Sequence, residues 1–243
     1  MNIKLYGERH TNTNYLSRLI QQNLDCGFIE GVVPKHVRTR ERLGLANARD
    51  RYFAQNFTKT LGWKHTAVPP WEALQNHVKT QHTRFVTLTK NPYAWIVSMH
   101  RRPYHQPGAA NLDIDEFLQY HWAPLARENI GADEVTITQL WNLKNASYLN
   151  LPDKLTERLT SEEVQFKAAA VISKIATLIG QKAPSKLNDV SESTKKRPDQ
   201  DGDYYRTYYG EARWKDTLSP SAINRINAEV DQNLMERFNF EIL

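Results

Sequence analysis

Two short stretches hold residues suited to gripping an anion. The first, Gly7-Glu8-Arg9-His10-Thr11-Asn12-Thr13-Asn14, lies between a strand-like segment and a helix-like one. Amides that open a helix have no partner inside it, and the helix dipole adds positive potential, so such a loop binds phosphate without a charged side chain. Thr11 and Thr13 add hydroxyl donors. Asn12 stands where glycine is usual, and asparagine enters the left-handed region more readily than most residues. An ordinary polar turn is the rival reading of this loop taken alone. The Gly-Lys-Ser/Thr run of an ATP or GTP enzyme is absent, with its phosphate-reaching lysine and its Mg²⁺-holding hydroxyl, which weakens a kinase or NTPase reading.

The second stretch is Thr89-Lys90-Asn91-Pro92-Tyr93-Ala94-Trp95-Ile96-Val97-Ser98. Lys90 ends a β-rich run, and Ser98 lies about two helical turns further on, so both can reach one side of a sheet edge and hold a second phosphate. The competing reading has Lys90 stretched toward solvent and Ser98 on a helix face without function.

These stretches need elements to position them. Asn2 to Tyr6 reads as a strand, and Tyr15, Leu16, Leu19, Ile20 and Leu24 recur at helical spacing. Leu61 to Lys64 reads as a short strand, Trp71 to Gln81 as a helix, and Phe85 to Thr89 as a strand followed by a helix with Pro92 in its first turn. Asp113 to Arg127 and Thr138 to Leu149 read as helices, and Leu155 to Leu159 as a short strand. Thr160-Ser161-Glu162-Glu163 fits a capping box opening a helix to Gly180. Pro184 to Asp203 is polar and reads as a mobile loop, and a final helix starts at Ser219-Pro220. Strands alternating with helices imply a three-layer α/β/α fold, one domain over residues 1–243, with a mainly parallel sheet and a P-loop-like loop. Ligands then sit at the carboxyl ends of the strands.

Composition narrows the classes. The 243 residues include 40% hydrophobic ones, enough for a packed core. A single cysteine, Cys26, forms no internal disulfide and no cysteine-based metal cluster, which favours a reducing, cytoplasmic setting. No signal-peptide pattern opens the chain, and the longest apolar stretch, Ala168 to Gly180, is too short to span a bilayer. The net charge of +5 favours anionic partners but reads as modest and spread along the chain. The densest basic run, Lys35 to Arg42, lacks the interleaved aromatics of a single-strand binder and reads as a solvated face, so nucleic acid is disfavoured.

In this order, the two stretches resemble the sulfotransferase family that uses 3′-phosphoadenosine 5′-phosphosulfate (PAPS). The family segment Lys-Ser-Gly-Thr-Thr-Trp-Leu is matched by His10-Thr11-Asn12-Thr13-Asn14-Tyr15-Leu16, and Arg-Asp/Asn-Pro with a later Ser by Lys90-Asn91-Pro92 and Ser98. Lys64-His65 followed by Pro69 is similar to the segment carrying the family's catalytic histidine. Arg213-Trp214-Lys215-Asp216 is similar to a C-terminal segment whose upstream arginine binds the 3′-phosphate, with Arg206 the first candidate for that arginine and Arg213 the second. Three departures stand out: His10 for the loop lysine, Asn12 for the loop glycine, and no intact Arg-Lys-Gly triplet around Arg206.

The resemblance implies an enzyme that transfers a sulfuryl group to a hydroxyl or amine acceptor by in-line displacement, releasing adenosine 3′,5′-bisphosphate, with no metal required. Arg9, Thr11, Asn12, Thr13, Asn14, Lys90, Ser98, Arg206 and Arg213 would bind the cofactor. Arg9, His10 or Lys64 would neutralise the leaving group, and His65 would take the acceptor's proton. His36 and Glu8 compete for that last role. His100 and His105 could line an acceptor pocket, and Trp63, Trp71 or Trp95 could stack on adenine or be core. The alternatives are a non-catalytic nucleotide or nucleic-acid binder on the same fold and a Mg²⁺-dependent kinase or NTPase.

Overall fold

A computed structural model describes residues 1–190 and 202–243. Its centre is a parallel sheet of four strands in the order β2-β1-β3-β4: β1 (Asn2–Gly7), β2 (Gly27–Phe28), β3 (Thr83–Thr89) and β4 (Thr156–Thr160). Tyr6 pairs with Thr87 and Gly7 with Leu88, so the loops leaving β1 and β3 emerge side by side at one rim.

Alternation along β1 explains the layers. Ile3 and Leu5 face a core completed by Val86, Leu88, Leu159 and the helices α1 (Thr13–Asn23) and α11 (Ala168–Leu178). Tyr6 and Phe85 face a second core with Leu61, Val68, Leu74 and Tyr148. Lys4 is wholly buried, and its Nζ donates to the carbonyls of Thr60 and Gly62, both at 2.6 Å.

The basic stretch after β2, which carries little apolar pattern, folds as α2 (Lys35–Arg42), α3 (Ala48–Gln55) and α4 (Phe57–Thr60). One apolar cluster of Val33, Val37, Ala48 and Phe53 suffices to hold it. Leu61 to Lys64 is not a strand, although the Lys64 amide donates to Gly31 and its carbonyl accepts from Gly7. The expected helix over 71–81 is two short ones, α5 (Trp71–Leu74) and α6 (Val78–Gln81).

Beyond β3, α7 (Pro92–Arg101), α8 (Ile114–Gln119) and α9 (Ile137–Ser147) form a helical subcore, and the helix expected from Asp113 stops at Gln119. The capping box at Thr160 and Glu163 is present, but it opens α10 (Ser161–Phe166), which breaks at Lys167 before α11. The last two residues of the loop expected at 184–203 instead open α12 (Gly202–Gly210), and residues 191–201 of that loop lie outside the described residues. The final helix is two, α13 (Pro220–Glu229) and α14 (Gln232–Arg237), because Asp231 caps a fresh start at Asn233 and Leu234.

Candidate active site

β1 ends where only glycine fits. A Cβ on Gly7 would lie 2.8 Å from Thr13 Cγ2 and 2.9 Å from Leu88 Cβ, so the strand end, α1 and β3 approach through that missing methyl. The loop then turns through two left-handed residues, His10 and Asn12, with φ of 64° and 65°. Asn12 makes no side-chain cap on α1; its Nδ2 donates instead to Ser161 Oγ at 3.1 Å. The first-turn amides of α1 therefore keep their donor capacity. By contrast, Asn91 Oδ1 caps α7 at Tyr93 and Ala94. Thr11, expected as a hydroxyl donor to phosphate, donates instead to the Glu8 carbonyl at 2.6 Å.

Lys90 joins the two strand-loop-helix units. Its buried Nζ lies 2.9 Å from Ser98 Oγ, 2.8 Å from Tyr209 OH on α12, and 3.4 Å from the His10 carbonyl in the β1 loop. Trp141 Nε1 on α9 donates to the Lys90 carbonyl and holds the turn from behind. A cavity of about 570 Å³ runs along the outer edge of β4, and Glu162 touches both it and the Asn91 amide.

On the other side of the loop lie Lys64 and His65. Lys64 Nζ donates to Asn14 Oδ1 at 2.5 Å, which sets its ammonium beside the first turn of α1. Burial, partly offset by Glu30 and reinforced by Arg38, lowers its pKa to about 8. His65 Nδ1 lies 2.5 Å from the Gly7 carbonyl. A carbonyl only accepts, so Nδ1 carries the proton and Nε2 presents its lone pair. Burial first, then the charges of Lys64 and Arg9, hold the His65 pKa well below 6.5, and the ring is neutral at neutral pH.

Beneath the loop lies a buried cluster of two cations and two anions. Lys144 Nζ is 2.9 Å from Glu8 and 3.6 Å from Glu128, and Arg9 NH1 is 2.7 Å from Glu128 and 3.2 Å from Glu8. Lys144 also donates to the His65 carbonyl. Burial would raise the Glu8 and Glu128 pKa values, but Lys144 and Arg9 outweigh it and keep both below the usual range. Arg9 is held by both carboxylates and lies between the rings of Trp63 and Tyr104, and Glu8 pairs with both Arg9 and Lys144.

The remaining candidates separate. Arg206 and Arg213 are exposed and pair with Asp203 and Glu211; α12 brings Tyr209, three residues past Arg206, onto Lys90. His10 packs on Tyr104, with Nε2 3.5 Å from the Arg102 carbonyl. His36 is exposed on α2, and the Nε2 atoms of His100 and His105 face the carbonyls of Leu112 and Ala123. Trp95 is core, its Nε1 donating to the Arg9 carbonyl, and Trp71 packs edge-on to Phe85. Sequence reasoning missed Tyr209, Lys144 and Glu128. The paired tyrosines at 204–205 and 208–209, one helical turn apart, were a usable sign of α12; nothing marked the other two.

Among solved structures, the chain is similar to the sulfotransferase domain from the curacin biosynthetic pathway, with a TM-score of 0.50 and 12% identity over 99% of this chain and 98% of that one. The sulfotransferase domain of the Synechococcus PCC 7002 olefin synthase aligns at a TM-score of 0.45 and 13% identity, over 94% of this chain and 93% of that one. A sulfotransferase from Alicyclobacillus acidocaldarius aligns at 0.45 and 14%, over 97% of this chain and 98% of that one. No family model and no curated protein matches the sequence. The first likeness defines the class: the chain has the sulfotransferase fold. Among the described residues no helix is long and apolar enough to cross a membrane. Among the same residues, no group of three His, Cys, Asp or Glu is placed to hold a metal ion.

Proposed function

We propose that the chain is a sulfotransferase that takes its sulfuryl group from PAPS and passes it to a hydroxyl or amine acceptor. One observation carries the reading: the Lys90 ammonium touches both Ser98 and the carbonyl of His10, so the β1 loop and the β3–α7 unit meet within one side chain's reach. A nucleotide phosphorylated at both ribose ends needs two such anion sites side by side. The residues fit it. The uncapped amides of α1 would hold the 5′-phosphate, and Lys90 with Ser98 and Tyr209 would hold the 3′-phosphate. Lys90 gives up the bidentate geometry of the family's arginine and keeps the charge.

PAPS, when bound, supplies an activated sulfuryl group on a bisphosphate leaving group. Lys64, mostly protonated below pH about 8, stands beside the α1 first turn and is the cation suited to charge building on the leaving oxygen. His65, with its proton fixed on Nδ1, offers Nε2 to the acceptor's proton. The buried cluster of Glu8, Arg9, Glu128 and Lys144 ties the β1 loop to the His65 backbone and fixes their separation.

Thermal-shift titration with adenosine 3′,5′-bisphosphate tests the reading. Stabilisation in the absence of Mg²⁺ is expected, and no response at millimolar ligand overturns it.

A further inference from the structure

The charge of this chain is not spread evenly. Residues 35–51, the α2–α3 hairpin, hold six lysines and arginines against two acids, which is +4 of the chain's +5. Both acids are already paired, Glu41 with Arg49 and Asp50 with Arg127. Lys35, Arg38, Arg40 and Arg42 are exposed and, among the described residues, have no carboxylate within ion-pair distance. The expectation of a merely solvated face leaves this concentration unexplained.

The hairpin tip adds an independent observation. Leu43 is 82% exposed, the most exposed large apolar side chain among the described residues, and Leu45 is 47% exposed. Between them Gly44 has φ +96° and open space around it. The tip is held in shape: the Gly44 amide donates to Glu41 and the Leu45 amide to Arg40, the two bonds of a Schellman cap. In that motif the residue after the glycine usually packs on the side chain five positions earlier. Here that partner is Arg40, and Leu45 is left facing water. The base of the hairpin is rigid too, through Val37, Ala48 and Phe53 and through the buried Arg127–Asp50 pair at 2.9 Å.

We infer that the α2–α3 hairpin docks on an anionic lipid surface, with Leu43 and Leu45 entering the headgroup region and Lys35, Arg38 and Arg42, which share one face of α2, turned to the lipid phosphates. Three cations on one helix face beside an apolar tip match the chemistry of such a surface, which offers negative charge above a place for hydrocarbon. A soluble polyanion would use the cations but give the leucines nothing. The docking is peripheral and involves no membrane-spanning segment.

Cosedimentation of the full chain with vesicles tests this. Binding is expected to vesicles of equal phosphatidylcholine and phosphatidylglycerol at about 0.1 M salt, with little to phosphatidylcholine alone, and it weakens as salt rises. Leu43→Ser with Leu45→Ser lowers the partition coefficient roughly tenfold, and Lys35→Glu with Arg42→Glu lowers it by at least as much. Both pairs are solvent-facing, and unchanged melting temperatures check that the fold persists; Leu43→Ser alone serves as the variant if a pair melts early. No binding to the anionic vesicles overturns the inference. So does binding indifferent to the leucines, or dextran sulfate binding that the leucine changes weaken equally. None of these measurements involves nucleotide, so their failure leaves the sulfotransferase reading untouched.

Discussion

His65 Nδ1 lies 2.5 Å from the carbonyl oxygen of Gly7, so the residue that closes β1 also decides which imidazole nitrogen carries the proton. Because burial, Lys64 and Arg9 lower the pKa of this ring in the folded chain, the unfolded chain binds the proton more readily. The resulting stability is complete above the unfolded value of about 6.5 and is lost as pH falls below it. Melting temperature should therefore drop between about pH 7 and pH 5. His65→Asn, whose amide nitrogen can still donate to Gly7, should flatten that drop, and parallel melting curves for the two proteins would count against the assignment. The same variant should retain adenosine bisphosphate binding while losing sulfuryl transfer.

Lys90 is expected to carry the 3′-phosphate. Lys90→Met should weaken adenosine 3′,5′-bisphosphate binding by about 1.5–3 kcal/mol, the range for a hydrogen bond to a charged group, and Ser98→Ala by about 1 kcal/mol. Adenosine 5′-phosphate, which lacks the second anion, should bind both variants as it binds the native chain. Calorimetric titration of the two nucleotides makes the comparison.

Lys144 is wholly buried between two carboxylates. Lys144→Met leaves Glu8 and Glu128 with Arg9 as their only cation in the cluster and should cost about 3–5 kcal/mol of stability, read from urea unfolding at neutral pH. Adding Glu128→Gln should restore part of the loss. Strictly additive losses would mean the pair is not coupled.

Gly7→Ala should destabilise the chain by about 1–3 kcal/mol, since its Cβ would press on Thr13 and Leu88 with little room to yield. Displacing Thr13 moves the first turn of α1, so nucleotide affinity should fall along with stability. Urea unfolding and nucleotide titration of one sample read both effects.

Where the sequence had strong period or punctuation, the fold was readable. Alternation marked β1 and a run of β-favouring residues marked β3, and Pro92 and the Thr160–Glu163 box marked helix starts that the structure contains. The α2–α3 region was not readable because it is held by only four buried apolar residues, and β2 because two residues carry no period. The meeting of Lys90 with Ser98 follows from helical spacing within one stretch. The burial of Arg9 does not: it depends on Glu128 and Lys144, distant in the chain and brought together only by packing.

The four charges beneath the β1 loop sum to zero and are shut away from solvent. Dissolved ions screen only fields they can surround. In brine, then, the frame around the imidazole keeps its shape, whereas attraction of phosphate to the open rim fades. For the proposed transfer, the hold on the anionic nucleotide, and not the integrity of the scaffold under it, is then expected to set the upper limit of salinity.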